Sequence, residues 1–514
     1  MSARSSRHAL TRKLLFSLLL GVLAVAGFAP FYLFLFPILS FSGLIWLWRL
    51  GAGQRVSAML GFVFGLGYFG AGVSWVYISL HDYGAMPMPL ALAATFLFCA
   101  FLALFPAVVG YVQAQSRATW TVKSILLIPA LWVLLEWCRG WIFTGFPWLS
   151  LGYSQAPYSP LSGFAPVLGV YGVSLVTALS AGLVVCAMDG KVGDVVRKRR
   201  VWIALLIALW GGGYALKQIS WTQPMGAPIS VSLLQGNISQ DLKWQAGKVQ
   251  STLEIYRNLV LSSKSQLIVL PETAFPLFYH NVPRAYLEVL AQKARENKGD
   301  VLIGLPEYEQ IAGEAYYNSV LSLGSAATQT YRKFHLVPFG EYVPLKPIFG
   351  WIIDSLQIPL TDFARGEKFQ QPMEVAGQRV AVNVCYEDVF GEEIIRQLPA
   401  ATLLANVSND AWFGDSVAPQ QHLQISQMRA LETGRTMLRA TNTGVTAIVN
   451  ERGQVTQRLP EFVTGMLNGK VQGFTGETPY VRWGNIAVLI LLAIMIVGSM
   501  NPVRRSPRSP GKLV

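Results

Sequence analysis

Charge is what this sequence has least of. Of 514 residues, 13% are Asp, Glu, Lys or Arg while 52% are hydrophobic, which excludes an ordinary soluble enzyme as the plan for the whole chain. No glycine-rich phosphate loop, Cys/His metal spacing or internal repeat stands out. Between residues 216 and 483 there is no long apolar run either, so that stretch reads as water-facing. Cysteine is scarce at four residues. Cys99, Cys138 and Cys186 lie in apolar runs, where a small buried hydrophobe is the default reading. Cys385, in "AVNVCYEDVF", stands apart, at the end of a strand-like run and just before two acids.

Apolar runs fill most of the rest, at 14–29, 31–48, 56–80, 87–112, 125–141, 165–188, 201–216 and 483–500. A bilayer core needs roughly 20 apolar helical residues, so the coarse plan is eight transmembrane helices: seven in 1–219, a domain at 220–480, and one in 481–514 ahead of a basic tail. "LAVAGFAP" carries a pattern resembling a signal-peptide cleavage site, but the next run follows at once, and the segment reads as a retained helix. The net charge of +13 divides unevenly. Residues 1–220 carry +11, residues 221–482 carry −2 and the tail +4. A near-neutral large domain argues against nucleic-acid binding. The basic residues precede the first helix and follow the second, fourth, sixth and eighth. By the positive-inside rule this puts both termini in the cytoplasm and 220–480 outside, as in a multi-pass protein of a bacterial inner membrane with a periplasmic domain. Trp75, Tyr77, Trp137, Trp141, Trp148 and Trp483 are then expected as interface belt residues.

Within 220–480, β-rich runs alternate with polar, helix-compatible stretches, which predicts a layered α/β domain. Two runs end in "LPE", at Glu272 and Glu307. An acid just past a buried strand is held in partly dry surroundings that raise its pKa toward a useful base, although a lone acid is more often a cap. In "YRKFHLVPFGEYVPL", Lys333 ends a strand and a proline-bracketed turn leads to Glu341. Cys385 comes next. A thiolate nucleophile, a carboxylate base and an ammonium group beside the developing oxyanion are three parts of acyl transfer. An unpaired thiol facing an oxidising compartment is a liability unless it is used.

"LPET", "RKFHLVPFGE" and "VCYED" resemble the Glu-Lys-Cys signature of the nitrilase (carbon–nitrogen hydrolase) superfamily, whose members fold as an αββα sandwich. With the helices, and with "FPWLSLGY", "LLQGNISQDLKW" and "NVSNDAWFGDS", the chain resembles the bacterial apolipoprotein N-acyltransferase family over nearly its whole length. The resemblance implies Glu272 as general base, Lys333 as oxyanion-stabilising cation and Cys385 as nucleophile. It implies supporting or substrate-contacting roles for Glu341, Tyr386, Glu387, Trp244 and Trp148. The implied reaction moves a fatty acyl chain from a phospholipid, phosphatidylethanolamine by resemblance, through a cysteine thioester to the α-amino group of a diacylglyceryl-cysteine apolipoprotein. It needs no metal or organic cofactor, and nothing calls for more than a monomer.

The apolar stretches 344–360 and 274–280 are expected to form arms at a lipid entrance opposite Phe146, Pro147 and Trp148; packing over the domain's own core is the alternative. Two rival functions stand beside acyl transfer. A membrane-tethered amidase would use the same three residues with water as acceptor, yet a tether needs one helix. A transporter needs ionisable residues within the membrane, and Glu136 is nearly the only acid in the apolar runs.

Overall fold

The computed structural model describes residues 3–51, 53–188, 195–243, 245–310, 315–343 and 362–500. Five helical segments there are long and apolar enough to cross a bilayer: His8–Gly27, Met88–Gln115, Trp120–Arg139, Pro160–Met188 and Arg199–Gln218. Gln54–Gly72 and Val76–Tyr83 reach that length only together, with a 60° bend between them. Leu35–Arg49 and Ile486–Met500 are apolar but hold 15 residues each, about 22 Å of helix against a hydrocarbon core of ~30 Å. The run at 31–48 loses its first residues to a turn in which Tyr32 takes φ 55°. Each apolar run therefore contains helix, but five full-length spans, or six with the bent pair, stand where eight were expected.

Small residues set the packing of this bundle. A Cβ on Gly61 would lie 2.3 Å from the Pro106 carbonyl oxygen, and one on Gly67 2.3 Å from that of Leu18. The helix Gln54–Gly72 is thus pressed on two sides against backbone, as expected where lipid supplies no hydrophobic drive between helices.

Beyond the helix that ends at Gln218 the chain forms twelve strands among the described residues. They are β1 (Gln223–Gln235), β2 (Leu267–Val269), β3 (Asp300–Glu309), β4 (Ala315–Gly324), β5 (Thr330–Arg332), β6 (Met373–Val375), β7 (Gln378–Val384), β8 (Leu403–Ser408), β9 (Met437–Thr441), β10 (Ala447–Val449), β11 (Val455–Arg458) and β12 (Gly465–Thr475). They make two six-stranded sheets, ordered β12-β1-β2-β3-β4-β5 and β11-β10-β9-β8-β7-β6. Val231, Leu233, Val269 and Leu302 of the first face Val382, Val384, Ala405 and Leu438 of the second in one buried core. Helices Ala246–Ser262 and Arg284–Glu296 cover the outer face of the first sheet through Tyr256, Val260 and Leu290. The helix Ala418–Thr433 covers the second through Leu423 and Ala430. This is the helix–sheet–sheet–helix order expected from the sequence.

That last helix has a second neighbour. Its Ile425, Met428 and Leu431 belong to the core of the membrane-type bundle, and every residue from Ala418 to Thr433 except Gln420 is buried. The α/β domain and the bundle therefore share one helix between them.

Candidate active site

Glu272 follows β2 after Leu270-Pro271. The neighbouring strand β3 can pass close behind it because residue 304 is glycine; a Cβ there would sit 2.8 Å from the Glu272 Cα. The side chain is buried, and each oxygen has a partner. Asn318 Nδ2 donates to Oε1 at 2.8 Å, and the backbone N–H of Asn409 donates to Oε2 at 2.9 Å. Lys333 Nζ lies 3.5 Å from Glu272 Oε1 and 2.9 Å from Glu341, with its own side chain only 1% exposed. Asn318 Nδ2 also donates to Glu341 at 2.8 Å, so one amide ties both acids together. Burial alone would push the lysine pKa down, but the Glu341 and Glu272 carboxylates outweigh it and hold the ammonium form well above its ordinary range.

Two carboxylates and one lysine leave one negative charge unbalanced. A second buried cation answers it. Lys243 Nζ lies 3.4 Å from the Glu272 carbonyl oxygen and feels the charges of both Glu272 and Cys385. Burial lowers its pKa to about 8, against the pull of those two groups.

Cys385 stands immediately after β7 with φ 52°, a left-handed conformation that costs a non-glycine residue energy and persists only where neighbours enforce it. The enforcement is visible. Asn406 Nδ2 donates to the Cys385 carbonyl oxygen at 3.1 Å. Glu387, two residues on, accepts from Val384 N at 2.7 Å, Tyr331 Oη at 2.9 Å, Phe334 N at 2.7 Å and His335 N at 3.1 Å. One carboxylate thus pins the strand before the thiol to the loop after Lys333. Burial raises the Glu387 pKa to about 7 despite Lys333 and these donors. The half-buried thiol is pushed up by burial and then by Glu272, while Lys333 and a hydrogen bond with Ser408 pull it down. The sulfur therefore senses both the acid and the lysine picked from the sequence.

Beneath the thiol runs a buried polar network. Arg439 reaches Asp410 at 2.9 Å and Asp388 at 3.3 Å, and His422 bridges the same two acids at 3.1 and 2.8 Å. Burial and Arg439 lower the His422 pKa, but the two aspartates outweigh them and raise it.

The membrane-type bundle contributes the other wall. Trp148 stacks on Tyr386, with centroids 6.5 Å apart and planes 12° apart, and Tyr386 Oη donates to the Gly145 carbonyl at 3.0 Å. Arg139 donates to the Phe146 and Trp148 carbonyls at 2.5 and 2.6 Å. Glu136 accepts from Leu151 N at 2.9 Å. These two charged residues at the end of the helix Ile128–Arg139 hold the "FPWLSLGY" loop under the site. Of the tryptophans expected as an interface belt, Trp141 and Trp483 are exposed, whereas Trp75 and Trp148 are buried. Their indole N–H groups donate to Gln421 Oε1 at 3.3 and 2.7 Å, so they join the two halves of the molecule.

Two family models match the chain. One, the apolipoprotein N-acyltransferase N-terminal domain, matches residues 20–183. The other, carbon-nitrogen hydrolase, matches residues 230–480. The apolipoprotein N-acyltransferase of Nitrosomonas europaea is 55% identical over 487 residues, 94% of this chain and 96% of that protein. The chain belongs to the apolipoprotein N-acyltransferase family. The Methylococcus capsulatus enzyme of the same name is 44% identical over 486 residues, 94% of each chain. Among solved structures, an amidase of the nitrilase superfamily from Nesterenkonia is similar over 52% of this chain and 97% of its own, at 18% identity and a TM-score of 0.38.

Of the residues singled out for this acyltransferase-family chain, the structure gathers Glu272, Lys333, Glu341, Cys385, Tyr386, Glu387 and Trp148. Trp244 lies outside the described residues, as does the 344–360 stretch with Trp351. The second "LPE" is not a strand end: Glu307 lies inside β3 and pairs with Arg332 at 3.0 Å. The stretch at 274–280 is not an arm along its first half, because Ala274 and Phe275 are buried against Tyr256 and Tyr286. Sequence reasoning passed over Asn318, Asn409 and Lys243. The only signal for them was position, in "NSVLSL", in "NVSNDAWFGDS" and just before Trp244.

Proposed function

We propose that the protein is an N-acyltransferase that moves a fatty acyl chain from a phospholipid, through a thioester on Cys385, to the α-amino group of a diacylglyceryl-cysteine apolipoprotein. The observation that carries this reading is the buried cluster in which Lys333 meets Glu272 and Glu341 beside Cys385, against an aromatic wall supplied by an apolar helical bundle. Glu272 takes the thiol proton as the sulfur attacks the ester carbonyl of the lipid. Lys333 stabilises the oxyanion of the tetrahedral intermediate. Collapse of that intermediate breaks the ester C–O bond, and Glu272 returns the proton to the departing lysophospholipid oxygen. The acceptor amine then attacks the thioester, Glu272 accepts its proton, and the freed thiolate is reprotonated. One site serves both substrates in turn, which predicts ping-pong kinetics.

The donor headgroup in this reading is phosphatidylethanolamine, and the protein works as a monomer. The two short apolar helices and the bent pair complete eight spans in the bacterial inner membrane, with both termini cytoplasmic and the α/β domain periplasmic. The deciding experiment follows acyl transfer onto a diacylated lipopeptide in the wild type and in Cys385→Ala. Wild-type protein incubated with phospholipid alone should gain the mass of one fatty acyl group on Cys385. Transfer surviving in Cys385→Ala, folded as judged by its thermal unfolding, would overturn the mechanism. An acyl-enzyme that reacts with water and not with the lipopeptide would favour the tethered amidase.

A further inference from the structure

Away from the thiol, a second concavity lies where the helix Arg199–Gln218 meets the α/β domain. It is an open groove of about 310 Å³ with a mainly apolar wall, lined by Tyr158, Pro160, Tyr214, Lys217, Arg452 and Gln454. None of these belongs to the site around Cys385. Lys217 Nζ donates to the Pro157 carbonyl at 2.5 Å, and among the described residues no carboxylate pairs with it. Arg452 faces it from the turn between β10 and β11, with a half-exposed side chain whose neighbouring acid, Glu451, is 3.6 Å away. That turn is tethered, since Gln427 Nε2 donates to the Gly453 carbonyl at 2.8 Å. The two cations against one acid leave the groove positive.

The apolar wall does not stop at the groove. It runs on along the Tyr214 face of the helix through Ile207 and Ile203, seven and eleven residues back, which are 66 and 39% exposed, while Tyr158 and Tyr214 stand open at the rim. A soluble anion would match the two cations and leave the wall unused. A neutral lipid would match the wall and leave the cations unpaired. A molecule with one anionic phosphate and a long apolar tail satisfies both, and tyrosines suit such a boundary between wet and oily surroundings.

We propose that this groove holds one anionic phospholipid, its phosphate between Lys217 and Arg452 and an acyl chain along the exposed face of the helix Arg199–Gln218. The inference rests on the reading that this helix crosses the bilayer and ends at its outer surface. The lipid would be a resident one, tying the helix to the domain it leads into, and not the acyl donor.

The test uses the full chain, purified in detergent and incubated with dioleoyl-phosphatidylglycerol, with dioleoyl-phosphatidylethanolamine or with inorganic phosphate, and native mass spectrometry to count retained molecules. The wild type should retain one phosphatidylglycerol in preference to phosphatidylethanolamine, and inorganic phosphate should not displace it. Replacing both cations (Lys217→Gln with Arg452→Gln) should weaken retention about tenfold or more, since each basic group near an anionic lipid contributes about 1 kcal/mol. Should the double variant unfold, Arg452→Glu alone, on an exposed turn, should weaken it in the same direction. Equal retention by wild type and variants, equal retention of the two lipids, or displacement by phosphate alone would each overturn the proposal. Acyl transfer by the groove variants should persist, while Cys385→Ala should lose transfer and keep the lipid. Failure of the groove and failure of the catalytic reading are thereby told apart.

Discussion

Lys243 is the residue whose role the structure changes most. Sequence reasoning stopped at its neighbour, Trp244, while the folded chain buries Lys243 against the Glu272 backbone with its pKa lowered to about 8. It is cationic below that pH and neutral above, so its help in stabilising the Cys385 thiolate fades as pH rises through about 8. Lys243→Met should therefore slow thioester formation roughly tenfold near neutral pH, the worth of about one unit of thiol pKa, and should flatten the fall of the rate above pH 8. Lys243→Arg should restore part of the rate and shift the fall to higher pH. The rate of Cys385 alkylation against pH reads both effects, and a profile unchanged in Lys243→Met would remove Lys243 from the site. Glu387 acts differently, as a positioning residue accepting four donors. Glu387→Gln has one acceptor oxygen instead of two and should strand buried N–H groups at about 1–3 kcal/mol each. Both thioester formation and the apparent unfolding temperature should fall, whereas a pure substrate contact would leave the latter unmoved.

At the scale of elements, the helix Ala418–Thr433 decides how the two halves meet. Its sequence, "APQQHLQISQMRALET", shows no apolar stripe, because both faces are covered: one by the second sheet, the other by the bundle. Its glutamines are the joints. Gln421 takes both indole N–H groups, and Gln424 accepts from Ala29 N at 2.9 Å and donates to the Ala156 carbonyl at 3.0 Å. Gln421→Leu should leave two buried indole N–H groups without an acceptor, release the Trp148 ring from its stack on Tyr386, and lower acyl transfer about tenfold or more. Tryptophan fluorescence should shift to the red in the same variant; an unchanged spectrum and rate would mean that Trp148 is held by packing alone. The strands were easier to read than this helix. Glu272 and Cys385 each end an apolar run that period and composition mark plainly, and Lys333 follows the short strand Thr330–Arg332, whereas Asn318 and Asn409 act on Glu272 from 46 and 137 residues away, a relation no local pattern encodes.

For the whole molecule, the proposed topology rests on the alternation of basic loops with apolar runs. If eight segments cross the membrane, reporters fused after residue 514 and before residue 1 should both read as cytoplasmic, and one inserted after Arg452 as external. A reporter of opposite side at the two ends would leave an odd number of spans and remove either Leu35–Arg49 or Ile486–Met500 from the count. The short helices are where length alone does not decide, because 15 residues span only part of a typical core and must rely on flanking chain or a thinned bilayer.

By itself the sequence determined the two materials of this protein, an apolar helical part and an α/β domain, and its motifs, through a family resemblance, picked out Glu272, Lys333 and Cys385 as the residues here proposed for acyl transfer. Hydropathy and strand periodicity are local properties that composition writes directly. Only the tertiary structure decided that Lys243 is the second cation beside Glu272, that Asn318 ties Glu272 to Glu341, and that two tryptophans expected at a lipid interface are instead pinned beneath the site by one glutamine. Those outcomes depend on partners far apart along the chain, and a buried charge or indole N–H goes wherever the fold provides its counterpart.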